Sequence, residues 1–202
     1  MGDQDRLVVS SALEAFYQRE TKHPDTVYLV QPLGDGQVQE ITWGQAGDQA
    51  RRIASYLCSL DFPEQSHIAL ISKNCAHWII ADLAIWMAGH VSVPLYPNLT
   101  ADSVRQILEH SEARAVFVGK LDEWDSMRPG VPPNLPMIGL PLAPEDSQLL
   151  DWEAILEDNT PLQGAPLPDP EQLATIIYTS GTTGMPKGVM LSFTSMYFSA
   201  NN

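Results

Sequence analysis

Between Thr179 and Gly188 the chain gathers residue types suited to holding phosphate. Thr179, Ser180, Thr182 and Thr183 offer hydroxyls that donate to an oxyanion or turn toward a metal ion. Gly181, Gly184 and Gly188 permit positive φ and close backbone approach, so that successive N–H groups can converge on one anion. Lys187 adds a mobile point charge. The chain carries a net charge of −14, yet from Gln172 to Asn202 it has no Asp or Glu, and Lys187 is the one formal charge there. Acid is kept away from a loop whose composition favours anions.

The loop is not of the Walker A type. That motif, G-x-x-x-x-G-K-[ST], needs a glycine before its lysine and a hydroxyl after it. Here Pro186 and Gly188 hold those places, and proline has no N–H for a phosphate while glycine has no oxygen for a metal. The apolar flanks Ala174–Tyr178 and Val189–Leu191 predict a loop joining two buried strands.

The unbroken run from Tyr178 to Val189, Y-T-S-G-T-T-G-x-P-K-G-V, resembles the signature loop of the acyl-adenylate-forming superfamily: acyl-CoA synthetases, adenylation domains of peptide synthetases, and luciferases. Ser66 to Gly119 looks like the N-terminal half of a long-chain fatty acid-CoA ligase, through Ile71-Ser72-Lys73-Asn74, Trp78, Ala81-Asp82-Leu83-Ala84, Gly89 and Val93-Pro94-Leu95-Tyr96-Pro97. With Thr42-Trp43 the resemblance spans most of the chain and is weakest from about Leu121 to Pro170.

The resemblance implies a ligase that uses ATP with Mg2+ to convert a carboxylic acid to an acyl-adenylate, and then CoA to form the thioester. It assigns magnesium contact to Thr179 and phosphate contact to the stretch from Ser180 to Lys187, with Thr179, Ser180, Gly181, Thr182, Thr183, Gly184, Lys187 and Gly188 as the cofactor-binding set and no catalytic residue in this chain. The family's acidic motif, hinge and C-terminal domain with its catalytic lysine are absent, so the chain is expected to be the first part of the large N-terminal domain and inactive alone. The family often has histidine where this sequence reads Phe193. An adenylation domain or aryl-CoA ligase is the alternative within the superfamily. A self-contained nucleotide- or pyrophosphate-binding module is the alternative outside enzymes.

Composition bounds the rest. The chain is 44% hydrophobic, enough for a core, and its acidity argues against nucleic acid. The longest uncharged stretch, Leu83 to Ala101, is broken by Gly89, His90, Pro94 and Pro97, which excludes a spanning helix and leaves any membrane contact peripheral. Cys58 on a helical apolar face and Cys75 beside a helix start read as buried reduced thiols, and with no leader pattern the cytoplasm is the default compartment. The five histidines show no ligand spacing and read as surface or satisfied residues. Asp122, Glu123 and Asp125 read as a solvated turn.

The elements that must position the loop can be read in order. Thr42-Trp43-Gly44-Gln45 forms a capping box for a helix ending near Leu60. His67–Ser72 reads as strand, Asn74 as cap of a helix through Trp78 to Ala88, Val91–Leu95 as strand, Thr100 as cap of a helix with Val104, Ile107 and Leu108 inward, and Ala113–Val118 as strand. Strands alternating with helices of this length predict an α/β fold with a predominantly parallel sheet covered on both faces. Three stretches are expected: 1–120 as the α/β half, 121–170 as a Pro-rich irregular connection with a short strand at Met137–Leu140 and helical turns near Trp152, and 171–202 as strand, loop, strand and the start of a helix.

Overall fold

The computed structural model describes residues 11–179 and 186–201. Helix α1 (Ala12–Lys22) is capped by Ser11, whose Oγ accepts from the Glu14 N–H at 3.1 Å, and buries Leu13, Phe16 and Tyr17 at helical spacing. A ribbon of β1 (Val27–Gly34) and β2 (Gln37–Thr42) turns at Asp35-Gly36, with φ of 49° and 75°, the double positive-φ geometry that Asp-Gly favours. Thr42 and Gln45 then close the expected capping box on α2 (Trp43–Ser59).

Two crossover units follow: β3 (His67–Ile71), α3 (Ala76–Met87), β4 (Val91–Leu95), α4 (Ala101–His110) and β5 (Ala115–Val118). The Pro-rich stretch is more regular than expected. It holds α5 (Trp124–Met127) with a 3-10 turn, β6 (Met137–Gly139), β7 (Leu150–Asp151) and α6 (Trp152–Asp158). The described chain closes with β8 (Leu173–Thr179), β9 (Lys187–Ser192) and α7 (Phe193–Asn201).

The described residues form a seven-stranded sheet in the order β7-β6-β5-β3-β4-β8-β9, parallel except for the antiparallel pair β8-β9. From β3 the chain steps to β4 on one side and then to β5 on the other, so α3 and α4 cover opposite faces. Side chains alternate accordingly. Ile68, Leu70, Ala115 and Phe117 join the core under α3, whereas Ala69, Ile71, Val116 and Val118 join the core under α4. In β8 an irregular register between Leu173 and Thr175 resets that alternation, leaving Ala174 under α3 but Ile176 and Tyr178 under α4.

Four expectations need correction. The second strand flanking the loop is not buried: β9 is the edge of the sheet, and Val189 and Met190 are exposed. Asn74 does not cap α3. Cys75 is the N-cap, without a side-chain bond, and Gln31 Oε1 accepts from the Ala76 N–H at 2.9 Å. Cys58 is exposed because Leu57 takes the inward position of α2 and the next residue turns about 100° away. His77 and His90 are buried, and Nδ1 of each has no hydrogen-bond partner among the described residues, so they are not satisfied in the ordinary way. Among the described residues no helix is long and apolar enough to cross a membrane.

Candidate functional site

Strands β3, β4, β5 and β8 are mutually parallel and end at one edge of the sheet. In open α/β sheets ligands settle outside such carboxyl ends, where the chain changes direction across the sheet. Thr179 ends β8 at this edge, Tyr96 is exposed just past β4, and Lys73 pairs with Asp122 past β3 and β5. A cleft of about 440 Å³ lies at the opposite edge, beside Gln65, His90 and Gln172, which precede β3, β4 and β8.

The antiparallel pair brings the two described ends of the loop motif together. Thr179 stands opposite Lys187, and Tyr178 opposite Gly188. Both Thr179 and Lys187 are exposed, and no carboxylate among the described residues pairs with Lys187. Ser180, Gly181, Thr182, Thr183 and Gly184 lie outside the described residues. A hydroxyl and an unopposed ammonium on neighbouring strand ends, with no acidic side chain contributed by this segment, form a donor set suited to phosphate rather than to a bare cation.

Gly188 matters here for a packing reason. A Cβ at that position would stand 2.7 Å from Cγ2 of Ile176 and 3.3 Å from Cζ of Tyr178. Its absence lets the Tyr178 ring lie against β9. That ring is buried, which pushes its phenol pKa up and keeps the hydroxyl protonated at neutral pH. The hydroxyl is 2.7 Å from Nδ1 of His110, in the last turn of α4, and the two rings meet edge to face at 5.7 Å and 87°.

The start of β8 is held from the other face. Trp86 Nε1 of α3 donates to the Ala174 carbonyl at 3.0 Å, and its ring meets Phe193 edge to face at 5.5 Å and 71°. Phe193 is therefore a buried packing residue. Sequence reasoning found neither grip. Trp86 and His110 lie 88 and 68 residues from their partners, and no local spacing signals either contact.

Comparison with known proteins extends over most of the chain. The family model described as AMP-binding enzyme matches residues 16–202. The peroxisomal long chain acyl-CoA synthetase 6 of Arabidopsis thaliana is 32% identical over 174 residues, covering 80% of this chain and 25% of the relative. The long-chain-fatty-acid–CoA ligase FadD15 of Mycobacterium bovis is 33% identical over 187 residues, covering 87% of this chain and 30% of the relative. The crystal structure of the anthranilate CoA ligase AuaEII with anthranoyl-AMP superposes with a TM-score of 0.80 at 20% identity, covering 100% of this chain and 38% of that one. The chain thus spans between a quarter and two fifths of these three proteins. With the sheet, the strand pair and the matched motif agreeing, the chain belongs to the AMP-binding enzyme family.

Proposed function

We propose that this chain is part of an AMP-forming ligase that activates a carboxylic acid, with long-chain fatty acids as the preferred class, through an acyl-adenylate to acyl-CoA. The observation that carries the reading is the pairing of Thr179 with Lys187 at the carboxyl edge of the sheet, at the two ends of the phosphate motif. The acyl class rests on the sequence relatives, which are named long chain acyl-CoA synthetase and long-chain-fatty-acid–CoA ligase.

In this reading the acid's carboxylate attacks the α-phosphate of ATP and pyrophosphate leaves. Negative charge then builds on the β- and γ-phosphates, and Lys187 stands ready at that edge to stabilise it, with no acid among the described residues competing for its ammonium. The Thr179 hydroxyl would face the magnesium ion that accompanies ATP, which supplies charge neutralisation when bound. The loop hydroxyls and backbone between them would complete the cradle. CoA then displaces AMP from the acyl-adenylate to give the thioester.

The test is ATP–pyrophosphate exchange in the complete enzyme. A charge-assisted contact of about 1.5–3 kcal/mol predicts that Lys187→Ala lowers exchange at least about tenfold. Unchanged exchange overturns the assignment. Fatty, aryl and amino acids compared in the same assay should give the highest kcat/KM for long-chain fatty acids, and a preference for either other class overturns the acyl assignment.

A further inference from the structure

We propose that His110 is a positioning residue for phosphate binding, acting through Tyr178 on the strand end that carries Thr179 and Lys187. This rests on the nucleotide-binding reading above and adds to it a residue from outside the motif.

The geometry is specific. Tyr178 is the last buried residue of β8, and the next residue, Thr179, is exposed and paired with Lys187. The strand pair sits at the edge of the sheet, so nothing among the described strands supports β9 from beyond. Lateral support for this end of β8 on the α4 face comes from the Tyr178 ring, which fills the space left by the missing Cβ of Gly188 and ends in the 2.7 Å hydrogen bond to His110. The hydrogen bond therefore fixes where the ring ends, and the ring fixes how β8 and β9 lie against α4. His110 itself is exposed, and its ring both bonds the Tyr178 hydroxyl and packs edge to face on the Tyr178 ring. A histidine serving the core alone would be buried, as His77 and His90 are.

Removing the contact should weaken a ligand gripped by Thr179 and Lys187 while leaving the fold intact, because α4 keeps its buried Val104, Ile107 and Leu108. Inorganic pyrophosphate and Mg·ATP are the probes, titrated calorimetrically into the complete enzyme. His110→Ala should raise Kd for both roughly tenfold, the scale of one well-formed hydrogen bond. Tyr178→Phe, which deletes one hydroxyl and no packing, should do the same, and the double variant should be no weaker than either single one. His110→Asn, whose amide reaches the place of Nδ1, should restore most of the affinity. A residue that merely stabilised the fold would lower the melting temperature without moving Kd and without rescue by asparagine. If the unsubstituted enzyme binds both probes and the variants bind them equally well, the positioning role of His110 is overturned and the nucleotide-binding reading stands. If the unsubstituted enzyme binds neither probe, both are overturned. Should His110→Ala fail to fold, Tyr178→Phe alone decides.

Discussion

Helices α3 and α4 are the two crossovers of the sheet, yet they are built on opposite plans. In α3 ten of twelve residues are buried, and in α4 three of ten. Helix α4 opens with its own cap, the Thr100 Oγ accepting from the Ser103 N–H at 3.2 Å, and shows the narrow apolar stripe of a surface helix. Helix α3 has no side-chain cap of its own and is apolar nearly all round, so it exists only because α2, α6 and the sheet surround it. Both grip β8, but differently: Trp86 of α3 holds its first residues from within the core, whereas His110 of α4 holds its last buried residue from the solvent side. Stability is concentrated under one helix, and the link to the candidate site under the other.

The largest effect should come from emptying the α3 side. Ile80 is fully buried there, and Ile80→Ala should destabilise by about 3–5 kcal/mol, whereas Ile107→Ala in α4, beside solvent-facing turns that can close the gap, should fall near about 2 kcal/mol. Urea unfolding of the two variants measures the difference. Equal losses would break the comparison, since they would mean that α4 carries as much of the core as α3.

Buried ionisable groups sharpen it further. Burial pushes the Asp82 carboxyl of α3 up to about 7, although Ser92 acts in the opposite direction. Ser92 Oγ nonetheless has no hydrogen-bond partner of ordinary geometry among the described residues, so it offsets little of that desolvation. Because the folded state holds this proton more tightly than the unfolded chain does, Asp82 costs stability progressively as pH rises from about 4 to about 7, and the full penalty persists above that. Burial pulls His77 down to about 4 and lowers His90 as well, so their contribution has the opposite slope and is lost as pH falls below the usual histidine range. Those slopes are common to both proteins when Asp82→Asn is compared with the unsubstituted chain. The substitution should therefore raise unfolding free energy by on the order of 2 to 4 kcal/mol at pH 8 and change it little at pH 4. A gain that is the same at both pH values would show that the carboxyl is not the source.

What could be read from the sequence divides along the same line. The capping box at Thr42 and Gln45, the Thr100 cap, the inward Val104, Ile107 and Leu108, and strand β4 to the residue were all legible, because each is written in a few consecutive positions. The Tyr178–Val189 run that points to the family was legible for the same reason. The cap of α3, the exposure of β9 and the Tyr178–His110 contact were not. Each depends on what the fold brings alongside: a ribbon 45 residues upstream, the place of a strand at the sheet edge, and a helix end 68 residues away. The α5 piece escaped because Asp122, Glu123 and Asp125 read as a turn around its four residues, and β7 because it is only two residues long in a stretch dense in proline.

The smallest effects test whether local and remote capping differ in kind. Thr100→Ala removes an oxygen that serves the first turn of its own helix, on an exposed surface where water can replace it, and should cost about 1 kcal/mol. Gln31→Ala also removes one acceptor, from the Ala76 N–H, but Gln31 is buried and its amide also donates to the Pro32 carbonyl at 2.7 Å. Its loss leaves a buried donor at the start of α3 and loosens β1 from that helix, so the cost should approach about 2 kcal/mol. Hydrogen exchange separates the two cases: Thr100→Ala should speed exchange only in the first turn of α4, whereas Gln31→Ala should do so both at Ala76 and along the β1–β2 ribbon. Exchange confined to α3 in the Gln31 variant would mean that the ribbon is held by its own packing and that the remote cap is no more than a local one supplied from a distance.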